Sequence, residues 1–183
     1  MRLAFLMVLL AGAASAEVTD SAAGGFTVAH EITVAVERAT AYEAAVERVG
    51  DWWSPEHTLT GDPARLRIEP RAMGCFCEEL GEGNAVVHLV VTFVNRDIIV
   101  RLTGGLGPLG LMGVAGNMTW EFFDTESGGT RIRWTYAVGG YRPGGLGAVA
   151  LPVDAVIGDA LARLGAYLET GDPETPAVPP ADG

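Results

Sequence analysis

The sequence reads as an α+β domain: a curved antiparallel sheet of about seven strands wrapped around one long C-terminal helix. From Arg65 to Val138 the chain is a run of alternating, β-branched segments broken by short turns at near-hairpin spacing, which argues an antiparallel meander. One earlier segment, Phe26 to Val36, alternates in the same way. After the last strand, one long stretch changes to helical periodicity. A sheet followed by a single apolar helix stripe has one economical solution, in which the sheet curls and buries the stripe.

The elements follow in order. In the first strand Phe26, Val28, His30, Ile32, Val34 and Val36 share one face, and Thr27, Glu31 and Thr33 the other. Thr40-Ala41-Tyr42-Glu43 has the form of a capping box, which opens a helix that Gly50 can close. Trp52-Trp53-Ser54-Pro55 makes a second helical turn or a tight loop. Strands then follow at 65–69, 75–80, 85–94, 98–103, 114–124 and 130–138. Gly81-Glu82-Gly83-Asn84, Asn95-Arg96-Asp97 and Ser127-Gly128-Gly129 supply turns, and a glycine-rich loop spans 104–110. The final helix, about 148–169, carries Val149, Val153, Val156, Ile157, Ala160, Leu161, Leu164 and Leu168 on one stripe, and Gly171 ends it.

The ends read differently. Residues 1–16 have the form of a secretory signal peptide: Arg2, an apolar run from Leu3 to Leu10, and Ala14-Ser15-Ala16 for the peptidase. Residues 17–25 are expected to be a flexible lead-in, 26–170 the domain, and 171–183 a disordered Pro-rich tail. The run at 3–10 is shorter than the roughly 20 apolar residues of a membrane span, so no stable insertion is expected after cleavage. The expected location is periplasmic or secreted.

Charge narrows the partners. The chain has 12 basic and 23 acidic residues, a net −11, and every basic residue is Arg. Removing residues 1–16 takes away one Arg and no acid, so the net becomes −12. Without Lys there is no Schiff-base lysine and no phosphate-gripping P-loop. Such an acidic chain is a poor partner for nucleic acid or for anionic membrane surfaces.

A curved sheet rarely closes completely on a helix, so an apolar cavity between them is the natural ligand site. The order of elements over residues 26–170 resembles the SRPBCC superfamily, the START-like or Bet v-like helix-grip proteins. The strings Trp52-Trp53-Ser54-Pro55-Glu56-His57-Thr58, Gly74-Cys75-Phe76-Cys77-Glu78 and Gly104-Gly105-Leu106-Gly107-Pro108 resemble those of bacterial, polyketide cyclase/dehydrase-like members of that superfamily. The resemblance implies a fold and a cavity; it assigns no reaction.

The candidate ligand-binding residues are His30, Trp52, Trp53, His57, Leu106, Leu109, Trp120, Trp134 and Tyr136. The rings fill a core first and line a pocket second. His30 is a lone polar group on an apolar face, able to orient a ligand or to satisfy a buried partner. The six glycines between 104 and 116 suggest a hydrophobic flap tipped by Leu106, Leu109, Leu111 and Met112; a second glycine-rich stretch spans 139–147. Cys75 and Cys77 lie two apart, so in a strand they share a face with Cα atoms roughly 6.5 Å apart, the upper edge of what a disulfide tolerates, and strand geometry resists a bridge. Three states are open to them: a strained redox bridge, two free thiols, or half of a metal site. With His57 and His88 they would offer tetrahedral ligands to zinc or copper. The plainer reading of the same residues, and the favoured one, is a small core pair of thiols with His57 capping a loop.

Two functions compete on this evidence. One is an exported module binding a small hydrophobic or aromatic ligand. The other is a cyclase-like or hydrolytic enzyme using His57 or His30, with or without a metal at Cys75 and Cys77. A partner-binding domain like the chaperone activators fits less well, because export removes it from cytosolic partners. No Gly-x-Ser-x-Gly elbow, His-Glu-x-x-His or paired-carboxylate motif is present.

Overall fold

The computed structural model describes residues 17–175. The signal-peptide reading and the end of the Pro-rich tail, 176–183, lie outside the described residues. Eight strands form one antiparallel sheet: β1 (Glu17–Ala22), β2 (Gly25–Val34), β3 (Leu66–Ile68), β4 (Cys75–Gly81), β5 (Asn84–Asn95), β6 (Ile99–Gly104), β7 (Gly113–Asp124) and β8 (Thr130–Tyr141). Their order across the sheet is β1-β2-β8-β7-β6-β5-β4-β3. The meander from β3 to β8 is the expected one, and the early strand β2 joins it beside β8. Curling brings the inner face around the helix α3 (Gly147–Thr170).

Four details depart from the sequence reading. Residues 17–25 are not a loose lead-in: β1 adds an eighth strand against β2, and Ala23 and Gly24 accept backbone hydrogen bonds from Leu146 and Gly140. Polar Thr and Asp side chains hid this strand, because an edge strand is held by its backbone. Thr40 does not cap a helix; α1 (Arg38–Tyr42) starts behind Glu37 with no side-chain cap and runs on into a π-helical turn, Glu43–Glu47. Gly50 does not end a helix but lies inside α2 (Val49–Trp52). A Cβ there would meet the Pro63 carbonyl at 2.8 Å, so the glycine serves close approach. Residues 171–175, read as tail, form a turn in which Glu174 pairs with Arg163 of α3 at 2.7 Å.

α3 behaves as its stripe predicts. Ile157, Ala160, Leu161 and Leu164 are buried against the sheet. Gly171, in the left-handed conformation, closes it with a backbone bond to Tyr167. Beneath α3 lies an aromatic core. Trp120 and Trp134 sit opposite each other on β7 and β8 and stack at 4.1 Å, 8° from parallel. Trp52 packs on both, and its indole N–H donates to the Ala44 carbonyl. Among the described residues, no helix is long and apolar enough to cross a membrane.

Candidate functional site

Between α3 and the β3–β4 edge of the sheet lies a cavity of about 320 Å³. α3 contributes Val149, Pro152, Val153, Val156 and Ile157. The loop after β6 contributes Leu106, Leu109 and Met112, and the opposite wall is Trp53, Leu66 and Phe76. Glu56, His57, Thr58 and Leu59 also line it, as does His88 from β5. The walls are almost wholly apolar, as expected of a small-molecule site with few polar points.

The expected flap is a short 3-10 turn, Gly107–Leu111, folded inward. Leu109 is buried, Leu106 and Met112 are half-buried on the cavity wall, and Leu111 is exposed. Tyr136 holds the base of this loop. Its hydroxyl donates to the Gly104 carbonyl at 2.9 Å and accepts from the Leu106 amide at 3.1 Å. Burial raises the Tyr136 pKa, so the phenol stays protonated and can do both.

Of the residues expected to bind ligand, Trp53, His57, Leu106 and Leu109 line the cavity. Trp52, Trp120 and Trp134 are core, and Tyr136 is the loop anchor. Strand alternation gives the inner face but cannot divide it between core and cavity. His30 faces α3 at a different place: its Nε2 is 2.8 Å from the Asp154 carboxylate, and its ring rests on Gly158. A Cβ at Gly158 would come within 2.7 Å of that ring.

The four residues considered as metal ligands are not gathered into one group. Cys75 and Cys77 are joined by a disulfide, with Cα atoms 5.4 Å apart. Of the three states open to the pair, the bridge that regular strand spacing resists is the one present, because the Cα atoms approach to 5.4 Å rather than the roughly 6.5 Å of a regular strand. Pairing of Cys75 with Val90 and of Cys77 with Val87 puts both on the outer face, behind Phe76. His57 stands 4.0 Å from Asp159, with a third of its side chain exposed. Among the described residues no cluster of three or more His, Cys, Asp or Glu is placed to hold a metal ion.

His88 has the least expected setting. Phe76 pairs with Leu89, but Cys77 pairs with Val87, so β5 carries an extra residue at 88. This bulge turns His88 inward next to Leu89, and both are buried. There its Nε2 lies 3.1 Å from Glu78 Oε2. Glu78 is fully buried. Its Oε2 also accepts from the Leu59 amide, and its Oε1 accepts from the Thr60 amide and hydroxyl at 2.7 Å each. Burial alone would raise the Glu78 pKa; these donors and His88 outweigh it and hold the carboxyl below its ordinary value. Glu78 was not among the residues expected at the site. Glu78 and Glu79 stand side by side in β4, and strand alternation, which turns one of them to the face shared with Phe76, was the available signal.

The fold and the cavity can be set beside known proteins. Residues 23–169 match the family model described as polyketide cyclase / dehydrase and lipid transport. No curated protein matches the chain. Solved structures of the same fold include a conserved protein of unknown function from Enterococcus faecalis, with TM-score 0.56, 14% identity, and coverage of 87% of this chain and 78% of that one. An uncharacterised protein from Rhizobium leguminosarum gives TM-score 0.53 at 19% identity, covering 78% and 93%. CalU16 from Micromonospora echinospora gives 0.51 at 14%, covering 82% and 78%. At such identities these structures establish the helix-grip architecture and nothing finer. The family model spans most of the chain, and on that ground the chain belongs to the polyketide cyclase / dehydrase and lipid transport family of the SRPBCC superfamily.

Proposed function

We propose that this domain binds one small hydrophobic molecule in the cavity between α3, the 104–112 loop and the β3–β4 edge. The observation that carries the proposal is the cavity itself: about 320 Å³ walled by aliphatic and aromatic side chains. An apolar guest would exchange water for these walls at about 25 cal/mol per Å² of apolar surface. The family description, which includes lipid transport, supports this reading. We also propose that the chain is exported. The Arg2, Leu3–Leu10 and Ala14-Ser15-Ala16 pattern supports this, as does a disulfide of the kind that persists in oxidising compartments.

The test is a titration with environment-sensitive apolar fluorophores, followed by Leu106→Asp and Val153→Asp. Both residues are half-buried on the wall, so the variants should keep their fold by circular dichroism. Binding should weaken at least about tenfold in each, the scale of 1.4 kcal/mol. A wild-type protein that binds no probe below about millimolar, or variants that bind as well as wild type, would overturn the proposal. For export, N-terminal sequencing of the secreted protein should start at Glu17; a retained Met1 would refute it.

A further inference from the structure

We infer that His88, held by Glu78, is the polar anchor of the cavity, and that the guest is an apolar molecule bearing a hydroxyl group that donates to the free ring nitrogen of His88. The inference rests on the ligand-binding reading above and adds the chemistry of the guest.

The argument begins with Glu78. Its two oxygens receive the Leu59 and Thr60 backbone amides, which can only donate, and the Thr60 hydroxyl. The carboxylate therefore acts as acceptor throughout, and the remaining contact, from His88 Nε2, must bring its own proton. The anchor requires the ring in its neutral form, in which a proton on Nε2 leaves a lone pair on Nδ1. Among the described residues Nδ1 makes no hydrogen bond, and it is absent from the sealed, partnerless buried atoms, Tyr42 Oη, Asp97 Oδ1, Trp120 Nε1 and Trp134 Nε1. The void that His88 borders is the cavity. Its ring packs edge-on against Phe76, itself a wall residue, at 5.7 Å.

A purely apolar guest would expel water from Nδ1 and leave that acceptor unpaired; a hydroxyl would replace the water. Sites built to hydrogen-bond a hydroxyl reject the analogue that lacks it. His57 is the other imidazole of the cavity. It stands beside Asp159 with a third of its side chain exposed, where water competes for any bond it makes.

The experiment titrates the full chain with 2-naphthol and 2-methoxynaphthalene, probes of similar size of which only the first donates. Wild type should bind 2-naphthol about tenfold more tightly, and His88→Phe, which keeps a ring at the wall, should abolish the difference. Nitrogen-15 NMR of the unaltered protein should show the proton on His88 Nε2, with the Nδ1 resonance moving on addition of 2-naphthol and not of its methyl ether. This readout decides the matter even if His88→Phe does not fold. Equal binding of both probes by wild type, a preference that survives His88→Phe, or protons on both ring nitrogens of His88 would overturn the anchor and leave the cavity reading standing. Failure of both probes to bind wild type would overturn both.

Discussion

Two histidine–carboxylate pairs sit on the inner face of this sheet, and they do different work. His30 and His88 are nearly equally buried, at 6% and 7% exposure, and each sets Nε2 within 2.8–3.1 Å of a carboxylate. For His30 the carboxylate is Asp154 of α3, 124 residues away, and the ring is pressed onto Gly158. That pair ties the helix to β2. For His88 the carboxylate is Glu78 on the neighbouring strand, itself tied down by Leu59 and Thr60, and the ring borders a void. The chemistry of the pair is the same. What lies against the rest of the ring decides between a ring locked onto a helix and a ring that borders the cavity.

The comparison breaks most visibly along α3. Leu161, fully buried on the sealed side, should cost about 2–5 kcal/mol when replaced by Ala. Val153, half-buried beside the cavity, should cost less than about 1 kcal/mol, because a void already lies against it. Equal losses in denaturant melts would mean that the two halves of the helix are packed alike.

Gly158→Ala sharpens the first pair. Helix propensity alone would stabilise by about 1 kcal/mol. Contact of the new Cβ with the pinned His30 ring should reverse the sign, for a net loss of about 1–3 kcal/mol. In a His30→Ala background the same change should become neutral or favourable. A stabilised Gly158→Ala in the wild-type background would show that the ring does not rest on the helix.

The smallest effect concerns the second pair and acid. The folded pKa of Glu78 is lowered from an ordinary value of 4.5. Its stabilising contribution is therefore complete above about pH 4.5 and is lost as pH falls through the lowered folded value. The stability gap between wild type and Glu78→Gln should narrow as pH falls below that point. A gap that is constant from neutral to acid pH would mean that Glu78 has the same acidity folded and unfolded.

Much of the fold was legible from local signals. Alternation located β2 and the strands from β3 to β8, and glycine-rich turns separated them. β1 was missed because its partner is a backbone and its side chains carry no apolar pattern. The candidate site was legible in part. The Leu106 and Leu109 loop and the Trp53–His57 segment were found by composition and do border the cavity. Trp52, Trp120, Trp134 and Tyr136 were expected beside them as ligand-binding residues, yet they pack against each other or hold a loop.

The sequence by itself determined the element types, the meander and the stripe of α3, because these depend on periods of two and 3.6 residues that neighbouring side chains enforce. It could not determine which way His88 points. In regular alternation with Leu89 and Val91 inward, His88 would face out. One extra residue in β5 against β4 reverses it, and that register is chosen only when two strands pair and Glu78 meets the Leu59 and Thr60 amides. The tertiary structure thus decided where a polar group enters the apolar cavity, because a bulge belongs to a pair of strands and leaves no mark on either one alone.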